Sequence, residues 1–293
     1  MVTPGRYPLA IVGAGALGLH FAAGLAAAGP VALVARNAAR ADALRAGVQV
    51  GSRRFVPEVF APEALPEADW VILLVKTGDT AEAARTALAL QPRGVLSLQN
   101  GLVEATLRAA CGTTASVAVG QGITTEGAFR EGARVQPAGA GETLLPPGFE
   151  AVAERLSAAG FRARIEPAIA AARLAKLLVN VAINPLAALF RVPNGALLAP
   201  PHRVLLEALV REAWPVLRQA GLDLDEDAAL ARVVAVATAT AGNRASMLQD
   251  VLAGRRTEID AITGTLLTMA EAGGVELPTH RAVFTLVRRL APG

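Results

Sequence analysis

The sequence predicts an α/β protein in which an N-terminal Rossmann-like parallel-sheet domain is followed by an all-helical C-terminal domain. In the first half, short apolar runs alternate with Ala/Leu-rich helical stretches, whereas the second half holds long helical stretches only. Apolar strands alternating with helices are typical of a parallel sheet that is covered on both faces. With 293 residues, the chain is also long enough for two domains.

Each element of the first domain follows from a change in residue pattern. The strands are predicted at residues 8–13, 31–35, 71–75 and 95–99, with helices near 38–46 and 79–90. Shorter β-like pieces are predicted near 116–119, 133–136 and 142–145, followed by a helix near 149–160 and a last strand-like segment at 161–166. We therefore place the first domain at residues 1–167.

The second domain, residues 168–293, is predicted to be entirely helical. Glycine and proline residues separate several of its apolar stretches, as expected at helix ends. The predicted helices lie at 168–189, 202–220, 226–252, 257–273 and near 279–290.

Composition and charge exclude several classes of protein. A hydrophobic content of 53% with 18% charged residues is that of a packed chain and not of a disordered one. The net charge is only +3 and the basic residues are scattered, so we do not expect nucleic-acid binding. The glycines within residues 7–29 favour a strand, turn and helix over a membrane span or signal peptide. A single cysteine, Cys111, suits a reducing cytoplasm.

Lysine is almost absent from this chain. Only Lys76 and Lys176 interrupt a set of 28 basic residues that are otherwise arginine. Because arginine cannot release a proton near neutral pH and a partly buried lysine can, both lysines are candidates for chemistry.

A glycine-rich motif directly follows the first strand and opens a helix, and it reads Gly13-Ala14-Gly15-Ala16-Leu17-Gly18. In that context the pattern G-x-G-x-x-G predicts a dinucleotide site, with the pyrophosphate at the helix N-terminus. Arg36, at the end of the second strand, stands where an NAD site places an acid, so NADP(H) is the expected cofactor. Arg40, a little further on, is open to interpretation as a surface charge. Lys76 and Asn100 follow two further strands, so we expect them beside the same cleft.

A line of polar residues runs along the first helix of the second domain. Lys176, Asn180 and Asn184 recur at every fourth position among apolar neighbours, within an arc of roughly 80° on one helix face. Buried polar groups need partners, and a polar ligand is the partner we favour. Pro185 is expected to kink or break the helix beside Asn184.

Four further polar residues have ordinary interpretations individually and carry information as a set. Asn194 lies in a turn-like Pro-Asn-Gly, Asn243 and Ser246 are expected on one helical face, and Glu258 follows a glycine break.

These motifs together resemble the ketopantoate reductase family. The resemblance covers residues 9 to 290 in family order and rests on the glycine turn, Arg36, VILLVKT, LQNG, KLLVNVAINPL, PNG and NRASMLQDVLAGRRTEID. It implies hydride transfer from NADPH to the keto carbon of 2-dehydropantoate, giving pantoate for pantothenate synthesis. Leu174 stands where the family often has an aromatic residue, which concerns local packing more than chemistry.

The resemblance also implies roles for residues of this chain. Lys176 would be the general acid and Glu258 would bind the hydroxyl end of the substrate. Lys76, Asn100 and Ala128 would contact the cofactor. The substrate's carboxylate and hydroxyl groups would be held by Asn180, Asn184, Asn194, Asn243 and Ser246.

Alternatives remain open at the level of the sequence. A reductase of another branched 2-keto acid, a relative of the β-hydroxyacid dehydrogenases, and a non-catalytic NADP-sensing protein would share much of this pattern. The histidines show no metal-site spacing, and no membrane or nucleic-acid partner is expected. A homodimer is possible through the Ala-rich helices of the second domain.

Overall fold

The computed structural model describes residues 5–112, 117–131 and 134–290. These residues form two compact units. The first unit comprises residues up to Gln99 together with Val103–Ile169, and the second comprises Asn100–Leu102 together with the residues from Ala170 onward. The division along the chain thus falls two residues after the predicted one, and three residues of the first half belong with the second unit.

A parallel sheet of six strands forms the centre of the first unit. The four predicted apolar runs and the β-like piece predicted near 116–119 account for five of its strands, and the strand at Glu58–Phe60 was not predicted. Its strands are β1 (Ala10–Val12), β2 (Ala32–Val34), β5 (Glu58–Phe60), β6 (Trp70–Leu73), β7 (Gly94–Ser97) and β8 (Ala118–Gln121). They are ordered β5-β2-β1-β6-β7-β8. Because the order reverses at β1, the crevice at the carboxyl ends of β1 and its neighbours is the expected ligand-binding edge.

Both faces of this sheet are covered, since successive strand residues enter different cores. Ile11 packs into one hydrophobic cluster while its neighbours Ala10 and Val12 pack into the other. The covering helices are α1 (Ala16–Ala28), α2 (Ala38–Arg45), α3 (Thr80–Ala89), α4 (Glu104–Cys111) and α5 (Glu150–Ala158). Strands buried on both faces explain why the sequence shows continuous apolar runs instead of alternation.

Two smaller sheets complete the first unit. The four-stranded one contains β3 (Val48–Val50), β4 (Arg53–Phe55), β10 (Ala128–Glu131) and β11 (Arg134–Pro137). The three-stranded one contains β9 (Ile123–Thr124), β12 (Thr143–Leu145) and β13 (Ala163–Ile165).

From residue 170 onward, the regular secondary structure of the described residues is entirely helical. The α-helices of the second unit are α6 (Ile169–Phe190), α7 (His202–Gln219), α8 (Glu226–Ala239), α9 (Ser246–Leu252), α10 (Thr265–Ala272) and α11 (Pro278–Arg288). Short 3₁₀ and π segments lie at Asn194–Leu198 and Asp260–Gly264. Leucine, valine and alanine side chains from these helices share one core.

Two predicted helices of the second unit were wrong in extent. The stretch 226–252 is not one helix, because α8 ends at Ala239 and α9 begins at Ser246. The stretch 257–273 becomes regular α-helix only at Thr265, after a π-helical turn. At the first break the Thr240 hydroxyl donates back to the Val236 carbonyl, which competes with continuation of the helix.

The helix α6 is unbroken over 22 residues although Pro185 lies inside it. The expected break beside Asn184 is therefore absent from this helix. Within the described residues, α6 is the one helix long and apolar enough to cross a membrane by length and composition. Its most apolar window is 67% buried inside the fold, which is typical of a core helix.

Candidate active site

The glycine-rich turn joins β1 to α1 in a conformation that requires two of its glycines. Gly13 has a φ of 123°, and a Cβ atom there would lie 2.7 Å from the backbone of Leu74. A Cβ on Gly18 would collide with the carbonyl oxygen of Gly13. The turn is therefore as tight as the motif predicts.

The first turn of α1 is open to an anion. Gly15 caps α1 without any side-chain hydrogen bond, and no acidic residue lies in the first helical turn. A Cβ on Gly15 would meet nothing within 4 Å, so the space in front of the helix N-terminus is free. Unpaired N–H groups and the helix dipole favour a phosphate at such a position. Gly13, Ala14, Gly15, Ala16, Leu17 and Gly18 together thus fit the pyrophosphate of a dinucleotide.

Two arginines follow the carboxyl end of β2, the strand next to β1. Arg36 is exposed at the strand end. Arg40 donates from Nη2 to the carbonyl oxygen of Ala14 at 3.2 Å. Asn37 caps α2 by accepting the Arg40 backbone N–H at 2.9 Å. Arg40 is therefore more than a solvated surface charge, because it ties α2 to the glycine turn.

Lys76 and Ala128, the other predicted cofactor contacts of the first unit, lie in different settings. Lys76 is exposed just beyond β6, the strand next to β1, as its position in the sequence predicts. Ala128 begins β10 in the four-stranded sheet and is packed against the hydrophobic core. Contact of either residue with a cofactor stays a prediction.

The polar line predicted on α6 is present. Lys176 and Asn180 are partly buried, and Asn184 is buried with 7% of its surface exposed. Leu177, Leu178 and Val181 on the same helix are fully packed in the core. The three polar groups thus lie among apolar residues, and Arg173 near the helix start is the other polar residue of α6.

Lys176 is the group with the most altered acidity in the second unit. Desolvation lowers its pKa from the ordinary 10.5 to about 8, although the nearby Glu258 carboxylate acts in the opposite direction. Both influences have the sign expected for a buried ammonium beside an acid. A lysine that titrates at about 8 can donate or accept a proton near neutral pH.

Glu258 is held by residues around the start of a helical segment. Its carboxylate accepts a hydrogen bond from the side-chain amide of Asn100 at 3.2 Å. Its backbone carbonyl accepts from the N–H groups of Ala261 and Ile262. Asn100, expected beside the cofactor, therefore lies with the acid of the second unit.

The loop that leads to Glu258 is fastened at its other end by Asp250. This aspartate is buried, and its carboxylate accepts from Nε of Arg255 at 3.1 Å. The Arg255 backbone N–H also bonds to the Asp250 carbonyl at 2.8 Å. A buried carboxylate with paired hydrogen bonds gives this loop a defined path.

Asn194 and Asn243 meet through their backbones. The Asn194 N–H donates to the Asn243 carbonyl at 3.0 Å, and the Gly195 N–H donates to Ala241. The Asn194 amide nitrogen donates to the Thr240 hydroxyl at 2.9 Å. Its side-chain oxygen is buried and has no hydrogen-bond partner within the described part of the chain. That oxygen is ready to accept from a ligand hydroxyl.

The expectation that Asn243 and Ser246 share a helical face was wrong. Asn243 lies in the loop between α8 and α9, and Ser246 is the first residue of α9. Both side chains are exposed. The prediction failed because the two residues were assigned to one continuous helix.

No role was predicted for Arg40, Thr240 and Asp250. Arg40 and Thr240 contact Ala14 and Asn194 of the site, and Asp250 fixes the loop before Glu258 through Arg255. A basic residue one turn after Arg36 is a weak signal for the first. Neither Thr240 nor Asp250 stands out in composition or spacing. Their roles arise from contacts between distant parts of the chain.

Over residues 5–112, 117–131 and 134–290, no group of three or more His, Cys, Asp or Glu side chains could hold a metal ion. The histidines have structural partners instead: His20 meets Glu126, His202 meets Ala196, and His280 meets Leu209.

A parallel-sheet unit with an anion-binding glycine turn, followed by a helical unit with a titratable lysine, defines a nicotinamide-dependent oxidoreductase. Two family models match the chain: "Ketopantoate reductase PanE/ApbA" over residues 9–148 and "Ketopantoate reductase PanE/ApbA C terminal" over residues 168–291. The chain belongs to the ketopantoate reductase family.

Individual proteins agree with the family. A 2-dehydropantoate 2-reductase of Archaeoglobus fulgidus is 33% identical over 97% of both chains. A PanE/ApbA family ketopantoate reductase of Ralstonia eutropha JMP134 is 30% identical, with a TM-score of 0.81 over 96% of this chain and 97% of its own. A D-mandelate dehydrogenase solved with NADH and anilino(oxo)acetate has a TM-score of 0.86, covering 96% of this chain and 97% of its own. At 24% identity it is similar in fold alone.

Proposed function

We propose that this protein is an NADPH-dependent 2-dehydropantoate 2-reductase, which reduces ketopantoate to pantoate for pantothenate synthesis. The observation that carries the proposal is Lys176, a desolvated lysine with a pKa of about 8 beside the carboxylate of Glu258. Reduction of a ketone needs a proton donor for the oxygen that becomes negative, and this lysine has the required acidity.

Bound NADPH supplies the hydride, and the chain supplies binding, orientation and the proton. The proton moves from Nζ of Lys176 to the former keto oxygen, which leaves Lys176 neutral until solvent returns a proton. The negative charge that develops on that oxygen is attracted by the ammonium before transfer is complete.

The substrate is oriented by asparagine side chains, which carry no charge, and by Glu258. Asn180 and Asn184 lie on the same helix as Lys176 and hold the carboxylate end. The unpartnered oxygen of Asn194 accepts a hydroxyl, and Glu258, fixed by Asn100, takes the substrate's hydroxyl end. Asn243 and Ser246 bind from the loop and helix start at 240–246.

Arg36 is assigned the selection of the cofactor, because it binds the 2′-phosphate. Residues Gly13–Gly18 bind the pyrophosphate. The remaining cofactor contacts are made by Lys76, Asn100 and Ala128. No carboxylate lies in the first turn of α2 to repel the 2′-phosphate. NADP(H) is therefore preferred over NAD(H).

The test is NADPH oxidation with ketopantoate beside a panel of other branched 2-keto acids. Ketopantoate should give the highest kcat/KM. Lys176→Ala should lower turnover by about 10²–10⁴-fold, and a loss of less than about tenfold would remove the proton-donor role. Glu258→Gln should mainly raise KM for the hydroxylated substrate. Binding of NADPH without turnover on any keto acid would identify a sensor instead of an enzyme.

The state of the protein in the cell is part of the same proposal. A cytoplasmic location suits the single cysteine, and a homodimer formed through the helices of the second unit suits its alanine content. Light scattering of the purified protein tests the dimer.

A further inference from the structure

Gln99 is a buried amide at the carboxyl edge of the central sheet, with 4% of its surface exposed. Its Nε2 group lies 3.1 Å from the carbonyl oxygen of Val75, 3.3 Å from that of Lys76 and 3.0 Å from the hydroxyl of Thr80. Its Oε1 accepts from the Ser97 hydroxyl at 2.9 Å. One NH₂ group has two hydrogens, so these three acceptors use its full donor capacity.

The Gln99 side chain bonds to the chain just beyond the point where the pairing of β6 and β7 ends. Strands β6 and β7 pair up to Leu73 and Ser97, and the Leu98 N–H still bonds to the Leu73 carbonyl at 3.2 Å. Beyond that point the side chain of Gln99 provides bonds to the segment that follows β6.

Thr80 extends this support along the segment. Its hydroxyl accepts from Gln99 and donates to the carbonyl of Thr77 at 2.7 Å. The carbonyls of Val75, Lys76 and Thr77 are thus each bound by one of two side chains. Lys76 itself is exposed, and its backbone carbonyl is one of the three that are bound.

We propose that Gln99 is a positioning residue for the cofactor: its amide fixes the Val75–Lys76 backbone and so directs the Lys76 ammonium toward a dinucleotide phosphate. This inference rests on the proposed function, in which Lys76 binds the cofactor. A role confined to fold stability would lower stability without acting through Lys76, and that difference can be measured.

Gln99→Glu is the informative variant, because it keeps the shape and replaces the NH₂ group by oxygen. An ionised carboxylate would face carbonyl oxygens and repel them, whereas a protonated carboxyl can donate one hydrogen bond. Of the residues to which the Gln99 side chain bonds, Lys76 carries a charge, and the bond is to its backbone carbonyl. Because low pH protonates this carboxylate and restores one donor, the loss of NADPH binding should be relieved at low pH.

Gln121→Glu is the matched control. Gln121 is equally buried, and its Oε1 accepts from the backbone N–H groups of Val103 and Glu104. Its Nε2 donates to the backbone carbonyl of Gln99 at 3.5 Å, so these bonds reach the Gln99 backbone but not the carbonyls of Val75 and Lys76. The same change of amide to carboxyl there should leave the pH profile of cofactor binding like that of the wild type.

The experiment measures NADPH dissociation constants by fluorescence titration at about pH 6 and about pH 8.5. Gln99→Glu should weaken binding about tenfold at the higher pH and recover to within about threefold at the lower. In a Lys76→Ala background it should add nothing, because the group it positions is gone. Equal weakening at both pH values, or effects that add to those of Lys76→Ala, would overturn the inference.

Thr80→Val gives a second test that introduces no charge. It removes one partner of the Gln99 amide and the donor to Thr77, so NADPH binding should weaken about threefold, again only when Lys76 is present. Additive effects in the double variant would count against positioning. Binding that couples to Lys76 without turnover of ketopantoate would refute the proposed function alone, and a wild type that does not bind NADPH would refute both.

Discussion

The acidity of Lys176 predicts the pH dependence of catalysis. With a pKa of about 8, the lysine is about nine-tenths protonated at pH 7 and about one-tenth protonated at pH 9. The forward reaction needs the protonated form, so kcat/KM for ketopantoate at saturating NADPH should fall about tenfold between pH 7 and pH 9. A lysine with the ordinary pKa of 10.5 would lose only a few per cent over that range.

Oxidation of pantoate should show the opposite pH dependence, because the neutral lysine then accepts the proton. Its kcat/KM should rise over the same pH range. In Glu258→Gln the carboxylate that raises the Lys176 pKa is gone, so both profiles should move to lower pH. Glu271→Gln, which changes an exposed acid paired with Arg281, is the control and should leave them in place.

The assay is steady-state absorbance of NADPH in both directions across pH 6 to pH 10. A forward rate that stays level between pH 7 and pH 9, while Lys176→Ala is still inactive, would refute the assigned acidity. Forward and reverse limbs at unrelated pH values would show that the lysine is not the shared proton donor and acceptor.

Three further outcomes are expected. Arg36→Glu should lower the preference for NADPH over NADH by about 10- to 100-fold, whereas Arg40→Ala should weaken both cofactors alike, and a ratio changed by Arg40→Ala would argue otherwise. Lys176→Met should raise the thermal midpoint, because the fold disfavours the ammonium by desolvation, and a lower midpoint would contradict this. Burial lowers the pKa of His280, and Glu212 acts in the opposite direction. As the pH drops below about 6.5, the unfolded state therefore binds a proton before the folded state does, and the free energy of unfolding should fall. His280→Gln should make the free energy of unfolding, measured by urea titration, less dependent on pH in this range.

The sequence predicts the central sheet well because its strands are short, apolar and followed by helices. Strand β5 at the edge of this sheet is missed, as are β3, β4, β9 and β10 of the smaller sheets, since segments such as Arg53–Phe55 are polar and short. Their pairing depends on distant partners, which no local pattern reveals.

The candidate site is predictable where its residues share an element. Lys176, Asn180 and Asn184 can be grouped from spacing alone because one helix carries them. The bonds of Asn100 to Glu258 and of Asn194 to Thr240 join residues far apart in the chain, so spacing gives no sign of them. The helix end at Ala239 is missed because an alanine- and threonine-rich run continues beyond it.

The segment Asn100–Leu102 limits how this protein can be divided. These three residues group with the second unit, where Leu102 packs against the helical core. A Cβ on Gly101 would lie 2.5 Å from the carbonyl oxygen of Ala261, so the segment lies tightly against its neighbours there. A gene fragment ending near residue 167 would carry Leu102 without its core and leave the helical fragment without Asn100. The two units are therefore not expected to fold intact when they are separated near residue 167.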